Sequence, residues 1–193
     1  MTASTTAERV LDIAQDMVQS RGYNGFSFRD IATALGIKSA SIHYHFPSKT
    51  DLGAALVIRY SEGFADELRR IKARETGAVK RLRAFIELFR GTLKKDRHCL
   101  CGMLGAEKDS LPPPVSKRVR DFFALCEDWL VTVLRDGRKA GEIEFRGTPQ
   151  AMADHLLALL EGAMVMARSL EDLGRFDKAT AAFLRILQPA RNA

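Results

Sequence analysis

Apolar residues recur at helical spacing along most of the chain. In the first segment Val10, Ile13, Ala14, Met17 and Val18 follow one another at i, i+3, i+4, i+7 and i+8, which places them on one face of a helix. Similar apolar stripes predict further helices at 79–93, about 99–110, 119–133, 148–170 and 175–188. The pattern predicts an all-α fold.

The first 50 residues also carry helix start and stop signals. Three Ser/Thr-x-x-Asp/Glu capping boxes predict helix starts, at Thr5 with Glu8, Ser27 with Asp30, and Ser48 with Asp51. Gly22 and Gly36 predict helix ends, and Ser39 is expected to cap a short helix that Pro47 stops after Phe46. Two short helices joined by a tight glycine turn are typical of a helix-turn-helix.

The second short helix, Ala40–Phe46, has the composition of a groove-facing helix. Its spacing turns Ile42 towards the core and Tyr44 towards solvent. Because this helix has no Arg, Asn or Gln, direct base readout is expected to be modest, with Lys38 the best base reader and operator shape supplying part of the specificity. The expected DNA contacts are Ser27, Arg29, Lys38, Ser39, Ala40, Ser41, His43, Tyr44, His45 and Lys49. His43 and His45 could equally be surface histidines without a ligand.

Charge adds little to this interpretation. The chain of 193 residues has a net charge of +6, but residues 1–60 hold six Lys/Arg against five Asp/Glu, whereas residues 61–100 hold eleven against six. The prediction of DNA binding therefore depends on the motif and not on bulk charge.

Several classes of protein are disfavoured by composition. No apolar run reaches the roughly 18 residues of a membrane span, and Met1–Ser4 do not begin a secretory signal. Three cysteines, an odd number, indicate a reducing cytosol, so we expect a cytoplasmic protein without membrane contact. Metalloprotease, phosphate-loop and di-iron motifs are absent from the sequence, and we predict no enzymatic activity, no cofactor and no metal.

The N-terminal residues resemble the tetracycline-repressor (TetR) family. The resemblance is carried by Phe26-Ser27-Phe28-Arg29-Asp30-Ile31-Ala32, by Leu35-Gly36-Ile37, and by Ile42-His43-Tyr44-His45-Phe46 with Lys49 and Leu52. It covers roughly residues 7–55, and His43 departs from it because the family usually has Tyr there.

The resemblance implies an all-α homodimer in which the first three helices bind DNA and a C-terminal domain binds an inducer. We therefore predict a helix-turn-helix domain at 1–48 and a ligand-binding and dimerisation domain at 49–193, with helix 48–72 as the connector. Helix 148–170 is apolar around much of its circumference and must be buried on more than one side. Together with helix 175–188 it is expected to form a dimeric four-helix bundle, and an intrachain core is the alternative.

The segment His98–Glu107 contains the least usual chemistry of the chain. Its cysteines could be small hydrophobes of the core or pocket. Cys99 could be a reactive sensor, because cations and a helix N-terminus favour the thiolate, or His98, Cys99 and Cys101 could bind a metal. The expected ligand pocket is lined by Phe89, Cys99, Met103, Leu104, Phe122, Cys126, Trp129, Leu160 and Met164.

These patterns favour a repressor that binds a palindromic operator as a dimer and is released by a small-molecule effector. Two alternatives remain at this point. One is a thiol-based electrophile or redox sensor that uses Cys99, and the other is a non-regulatory helical DNA-binding or adaptor protein, which would bind DNA regardless of sequence.

Overall fold

The computed structural model describes residues 5–187, and these residues form nine α-helices and one 3-10 helix without a strand. The all-α prediction is confirmed. The helices are α1 (Thr6–Arg21), α2 (Phe28–Leu35), α3 (Ser39–His45), α4 (Lys49–Arg74), α5 (Ala78–Leu93), α6 (Leu100–Ala106), the 3-10 helix (Lys108–Ser110), α7 (Pro113–Lys139), α8 (Pro149–Ser169) and α9 (Leu173–Ile186).

The capping boxes set the helix starts in the N-terminal region. The Ser27 hydroxyl accepts from the Asp30 amide, and the Asp30 carboxylate accepts from the Ser27 amide at 2.7 Å. The boxes at the starts of α1 and α4 have the same reciprocal bonds. Each box satisfies amides that have no partner inside the helix, so the three predicted starts are confirmed.

Three local predictions need correction. Lys38, not Ser39, is the N-cap of α3, and no side chain caps that helix. The helix expected at 99–110 is divided into α6 and the 3-10 helix. The last helix, predicted to start at 175, begins at Leu173, with the Asp172 carboxylate accepting from the Gly174 amide. Position 188, the predicted end of the last helix, and the segment Met1–Ser4 lie outside the described residues.

The chain divides into two compact units. The first contains the described residues up to Gly63 together with Cys99–Phe122. In this unit α1 contacts α2, α3 and α6, and the core includes Val10 and Ala14 of α1 and Ile31 of α2, all fully buried.

The second unit contains Phe64–His98 and the described residues from Phe123 onward. Phe85, which is fully buried, stacks on Trp129 with ring centroids 5.3 Å apart and meets Phe64 edge to face at 5.9 Å. Helix α5 packs against α8 and α9, and the Arg90 guanidinium donates to both carboxylate oxygens of Asp177.

Within residues 5–187, every helix is either too short or too polar to cross a lipid bilayer.

Candidate nucleic-acid interface and effector region

Helix α3 has one anchored face and one exposed face. Ile42 is fully buried and Phe46, just after the helix, is nearly so. Tyr44 between them in sequence is 84% exposed, more than any other large hydrophobic side chain described. The burial of one face fixes the helix, so the opposite face is presented to solvent in one orientation.

The turn between α2 and α3 is tight because Gly36 ends α2 in the left-handed conformation, at φ 66°. Its amide donates to carbonyls of the last turn of α2, which is a common way to end a helix. The short connection places α2 and α3 in contact and produces the predicted helix-turn-helix.

The two histidines of α3 are both exposed. The His43 ring lies 4.7 Å from the Phe28 ring, and its Nδ1 is 3.3 Å from the Pro47 carbonyl oxygen. The tautomer with a proton on Nδ1 donates to that oxygen and leaves Nε2 as an acceptor. His45 meets Tyr44 edge to face at 5.1 Å.

Most of the predicted DNA contacts share one property, which is solvent exposure. The exposed members of the set are Ser27, Arg29, Lys38, Ala40, Ser41, His43, Tyr44 and His45. Ser39 and Lys49 are half-buried. The assignment of these residues to DNA remains a prediction.

Lys49 has an internal set of partners. Its ammonium donates to the Phe26 carbonyl oxygen at 2.5 Å and lies over the rings of Phe26 and Tyr23, 4.4 and 4.8 Å from their centroids. Burial lowers the pKa of Lys49, and the negative charges of Glu107 and Asp30 act in the opposite direction. This side chain therefore braces the loop that precedes α2.

Glu107 also belongs to this region, and sequence reasoning did not assign it a role. Its carboxylate bonds to the turn between α1 and α2, more than 80 residues earlier in the chain. No local pattern could have revealed this contact, because it depends on how α6 packs against α1.

The predicted pocket residues fall in both compact units. In the first unit Cys99, Leu104 and Phe122 are buried and Met103 is half-buried, with Phe122 5.3 Å from the ring of Tyr60. In the second unit the buried members are Phe89, Cys126, Leu160 and Met164.

Trp129, the remaining member, is half-buried and lines a cavity of about 160 Å³ in the second unit. Leu68 and Leu125 supply apolar walls to this cavity, and Arg69 and Lys72 supply cations. The assignment of the nine residues to a ligand remains a prediction.

Cys99 occupies the N-cap position of α6. Its sulphur accepts from the Gly102 amide at 3.4 Å and from the Tyr60 hydroxyl at 4.0 Å, and the residue is 1% exposed. Cys99, Cys101 and Cys126 form no disulfide bond. Among residues 5–187 no group of three or more His, Cys, Asp or Glu is arranged to hold a metal ion. This applies also to His98, Cys99 and Cys101, the alternative metal site.

The second unit contains a buried ionisable cluster that sequence reasoning did not predict. His98 Nδ1 lies 3.6 Å from Glu161 Oε2, and His98 is buried. Burial raises the pKa of the Cys126 thiol, and the charges of Glu161 and Glu127 raise it further, so Cys126 is a poor source of thiolate.

An all-α chain with an anchored helix-turn-helix and an exposed polar recognition face is typical of a DNA-binding transcriptional regulator. Comparisons with known proteins agree with this class. Residues 10–56 match the family described as bacterial regulatory proteins, tetR family, and residues 78–183 match the tetracyclin repressor-like C-terminal domain. The chain belongs to the TetR family, whose members are DNA-binding regulators and not enzymes.

Three relatives illustrate the similarity. A TetR-family regulator from Agrobacterium tumefaciens is 34% identical, with a TM-score of 0.92 over 95% of this chain and 97% of that one. A TetR regulator from Legionella pneumophila is 31% identical, with a TM-score of 0.88 over 97% and 100%. The HTH-type transcriptional repressor DhaR of Mycobacterium sp. (strain GP1) is 27% identical over 100% of this chain and 98% of its own.

Proposed function

We propose that the protein is a repressor that binds a palindromic operator as a homodimer and leaves the operator when a small-molecule effector binds. The observation that carries this proposal is the contrast within α3, where Tyr44 is 84% exposed and Ile42 is fully buried. The Tyr44 side chain has an apolar ring and a hydroxyl, and both can make contacts in a DNA groove that they do not make in water. The proposed site of action is the cytoplasm, where operator DNA lies.

The exposed side chains near α3 suggest a division of work. Ser41, Tyr44 and His43 carry short polar groups that bond to phosphates or base edges, while Lys38 is the exposed cation at the start of the helix. Few cations face the DNA, so the sequence-independent part of the affinity is expected to be small. Specificity then depends on these few contacts and on operator shape.

A palindromic operator requires a two-fold protein, and α8 offers the surface for it. Ala158, Gly162, Val165 and Met166 are exposed and spaced to share one face of α8, and Val165 and Met166 are each about half exposed. Ile186 of α9 is 60% exposed. Exposed apolar residues in one stripe favour association with another protein surface, and we propose a second copy of this chain.

Gly162 provides a clean test of this dimer. A Cβ added at Gly162 meets nothing within 4 Å in the single chain, and the same is true of Gly63, an exposed glycine in the middle of α4. Gly162→Arg is expected to weaken dimerisation by about 100-fold or more, because it buries an unpaired cation in the interface, whereas Gly63→Arg is not. Sedimentation equilibrium measures both. Equal dimerisation of the two variants would contradict the assigned face.

The operator itself is found by selecting bound fragments from the source genome and footprinting the best one. We expect a short palindrome protected symmetrically, with protection lost in Tyr44→Ala and unchanged in Lys80→Ala, a control on the exposed side of α5. Tyr44→Phe separates the hydroxyl from the ring. Diffuse binding that disappears with salt and ignores Tyr44→Ala would instead indicate the architectural or adaptor class.

The effector is constrained by thermodynamic linkage. It must bind free protein better than operator-bound protein, by the same factor by which it weakens operator binding. A panel of small apolar and amphipathic compounds, screened first by thermal shift and then against labelled operator, tests this requirement. Compounds that stabilise the protein equally with and without operator are ligands but not effectors.

Thiol-based release by Cys99 is the second candidate. It is supported by the place of Cys99 at the N-cap of α6, where the Gly102 amide and the Tyr60 hydroxyl donate to its sulphur. A thiol-reactive compound is expected to release operator from the wild type and from Cys126→Ser, but not from Cys99→Ser. Cys126 is the matched control because its raised pKa disfavours reaction. Equal release from Cys99→Ser would remove this candidate.

A further inference from the structure

The carboxylate of Glu107 fills the turn between α1 and α2. Its Oε1 accepts from the Tyr23 amide at 2.7 Å, and its Oε2 accepts from the Asn24 amide at 3.1 Å and from Asn24 Nδ2 at 2.6 Å. Asn24 Nδ2 also donates to Ser110 Oγ at 2.8 Å. One side chain at the end of α6 thus receives three N–H groups from a turn of the DNA-binding region.

The turn is shaped to receive this carboxylate. Helix α1 ends at Gly22 with φ 83°, a conformation that favours glycine. A Cβ at position 22 would also collide with Oε1 of Glu107. The Glu107 carboxylate therefore occupies the space that a side chain at position 22 would need.

The same turn is connected onward to the start of α2. The Tyr23 hydroxyl donates to the Lys49 carbonyl oxygen at 2.9 Å, and the Lys49 ammonium holds the Phe26 carbonyl oxygen. Phe26 immediately precedes Ser27, the N-cap of α2. The contacts run from Glu107 through the turn to the residue at which the helix-turn-helix begins.

We infer that Glu107 is a positioning residue for operator binding, which holds the α1–α2 turn, and with it α2 and α3, at a fixed place on α6. This inference rests on the proposed operator binding. Glu107 acts through Tyr23 and Asn24 and does not itself touch DNA.

The sign of the effect separates this role from simple electrostatics. Removing a negative charge from a DNA-binding protein by itself strengthens binding, because DNA is an anion. Glu107→Gln is expected to weaken operator binding by about tenfold or more, since an amide nitrogen cannot accept a hydrogen bond. Asp109→Asn is the matched control, an exposed carboxylate two residues away that makes the same change in net charge.

The experiment measures the affinity for operator and for random DNA over a range of salt concentrations, with circular dichroism to verify folding. We expect Glu107→Gln to lower the ratio of specific to non-specific affinity while the salt slope stays unchanged, because no phosphate contact is lost. Amide hydrogen exchange at Tyr23 and Asn24 is expected to accelerate in the free variant. A general loss of stability would lower the affinities for operator and for random DNA by the same factor, so it would leave this ratio unchanged.

Asn24→Ala is the second variant, for the case in which Glu107→Gln fails to fold. It removes the side-chain bonds to Glu107 and Ser110 but leaves the two backbone amides, so a smaller loss in the same direction is expected. Operator affinity in Glu107→Gln, or in a folded Asn24→Ala, that equals or exceeds that of Asp109→Asn overturns the inference. If the wild type itself protects no operator, it is the proposed function that fails.

Discussion

The Lys49 ammonium can stabilise the protein internally or contact DNA. The variant Lys49→Met tests which of these two roles dominates. Met keeps an unbranched stem of similar length but removes the ammonium. The bond to the Phe26 carbonyl oxygen and the two cation–π contacts are lost together. The variant also no longer has to desolvate a cation, and burial of this ammonium is unfavourable, as the lowered pKa of Lys49 indicates.

The magnitude follows from these opposing contributions. A hydrogen bond from a charged donor contributes about 1.5–3 kcal/mol, and each cation–π contact at a partly exposed site contributes about 0.5–1 kcal/mol. The desolvation cost offsets part of this gain. We expect Lys49→Met to lower the free energy of unfolding by about 1–2 kcal/mol, measured by urea denaturation monitored by circular dichroism.

The matched control is Lys38→Met, which makes the same change in charge at an exposed N-cap with no side-chain bond to α3. A lysine that neutralises one phosphate adds about 0.9 to the slope of log affinity against log salt. We expect little change in this slope in Lys49→Met, because its ammonium is bonded inside the protein, and no loss of stability in Lys38→Met. The opposite result, a reduced slope and full stability in Lys49→Met, would refute the reasoning and establish Lys49 as a phosphate contact.

Three further predictions concern the second unit. Phe85→Ala should lower the free energy of unfolding by about 3–5 kcal/mol, because it removes a fully buried ring stacked on Trp129; a loss below about 1 kcal/mol in urea denaturation would contradict this. Gly137→Ala should lower the melting temperature, although Ala is a better helix former than Gly, because the Cβ of the new alanine would overlap that of Ala78. A raised melting temperature would show that the helices adjust to the added Cβ. The hydrogen bond from Arg90 holds the pKa of Asp177 below its usual range, so this stabilisation is complete above about pH 4 and is lost as the pH falls through the lowered pKa. Asp177→Asn should accordingly melt at a lower temperature than the wild type at neutral pH, with the difference closing in acid; a difference that stays constant across the pH range would exclude this pair as its source.

The sequence predicted features that depend on neighbouring residues. Capping boxes, glycine stops and the burial of Ile42 against the exposure of Tyr44 all follow from spacings within a few residues. The prediction of Ser39 as an N-cap was wrong for a related reason. It relied on the general preference for Ser at the N-cap, whereas α3 has Lys38 at that position.

The features that escaped prediction are long-range. The contact of Lys49 with DNA stays a prediction, but its internal partners Tyr23 and Phe26 lie more than 20 residues earlier and no local pattern indicates them. The contacts of Glu107 with the α1–α2 turn and of His98 with Glu161 join segments that are far apart in sequence. Side-chain partners of this kind are fixed by tertiary structure, about which periodicity carries no information.

The first compact unit is discontinuous in sequence, and this matters for anyone building hybrid regulators from members of the family. Exchange of the N-terminal block alone would pair a foreign α1–α2 turn with the resident Glu107, and a residue larger than Gly at position 22 would then meet that carboxylate. A graft that also carries residues 99–110 keeps donor and acceptor together. We therefore expect the interchangeable module for promoter choice to be two stretches of gene rather than one, with positions 22 and 107 inherited as a pair.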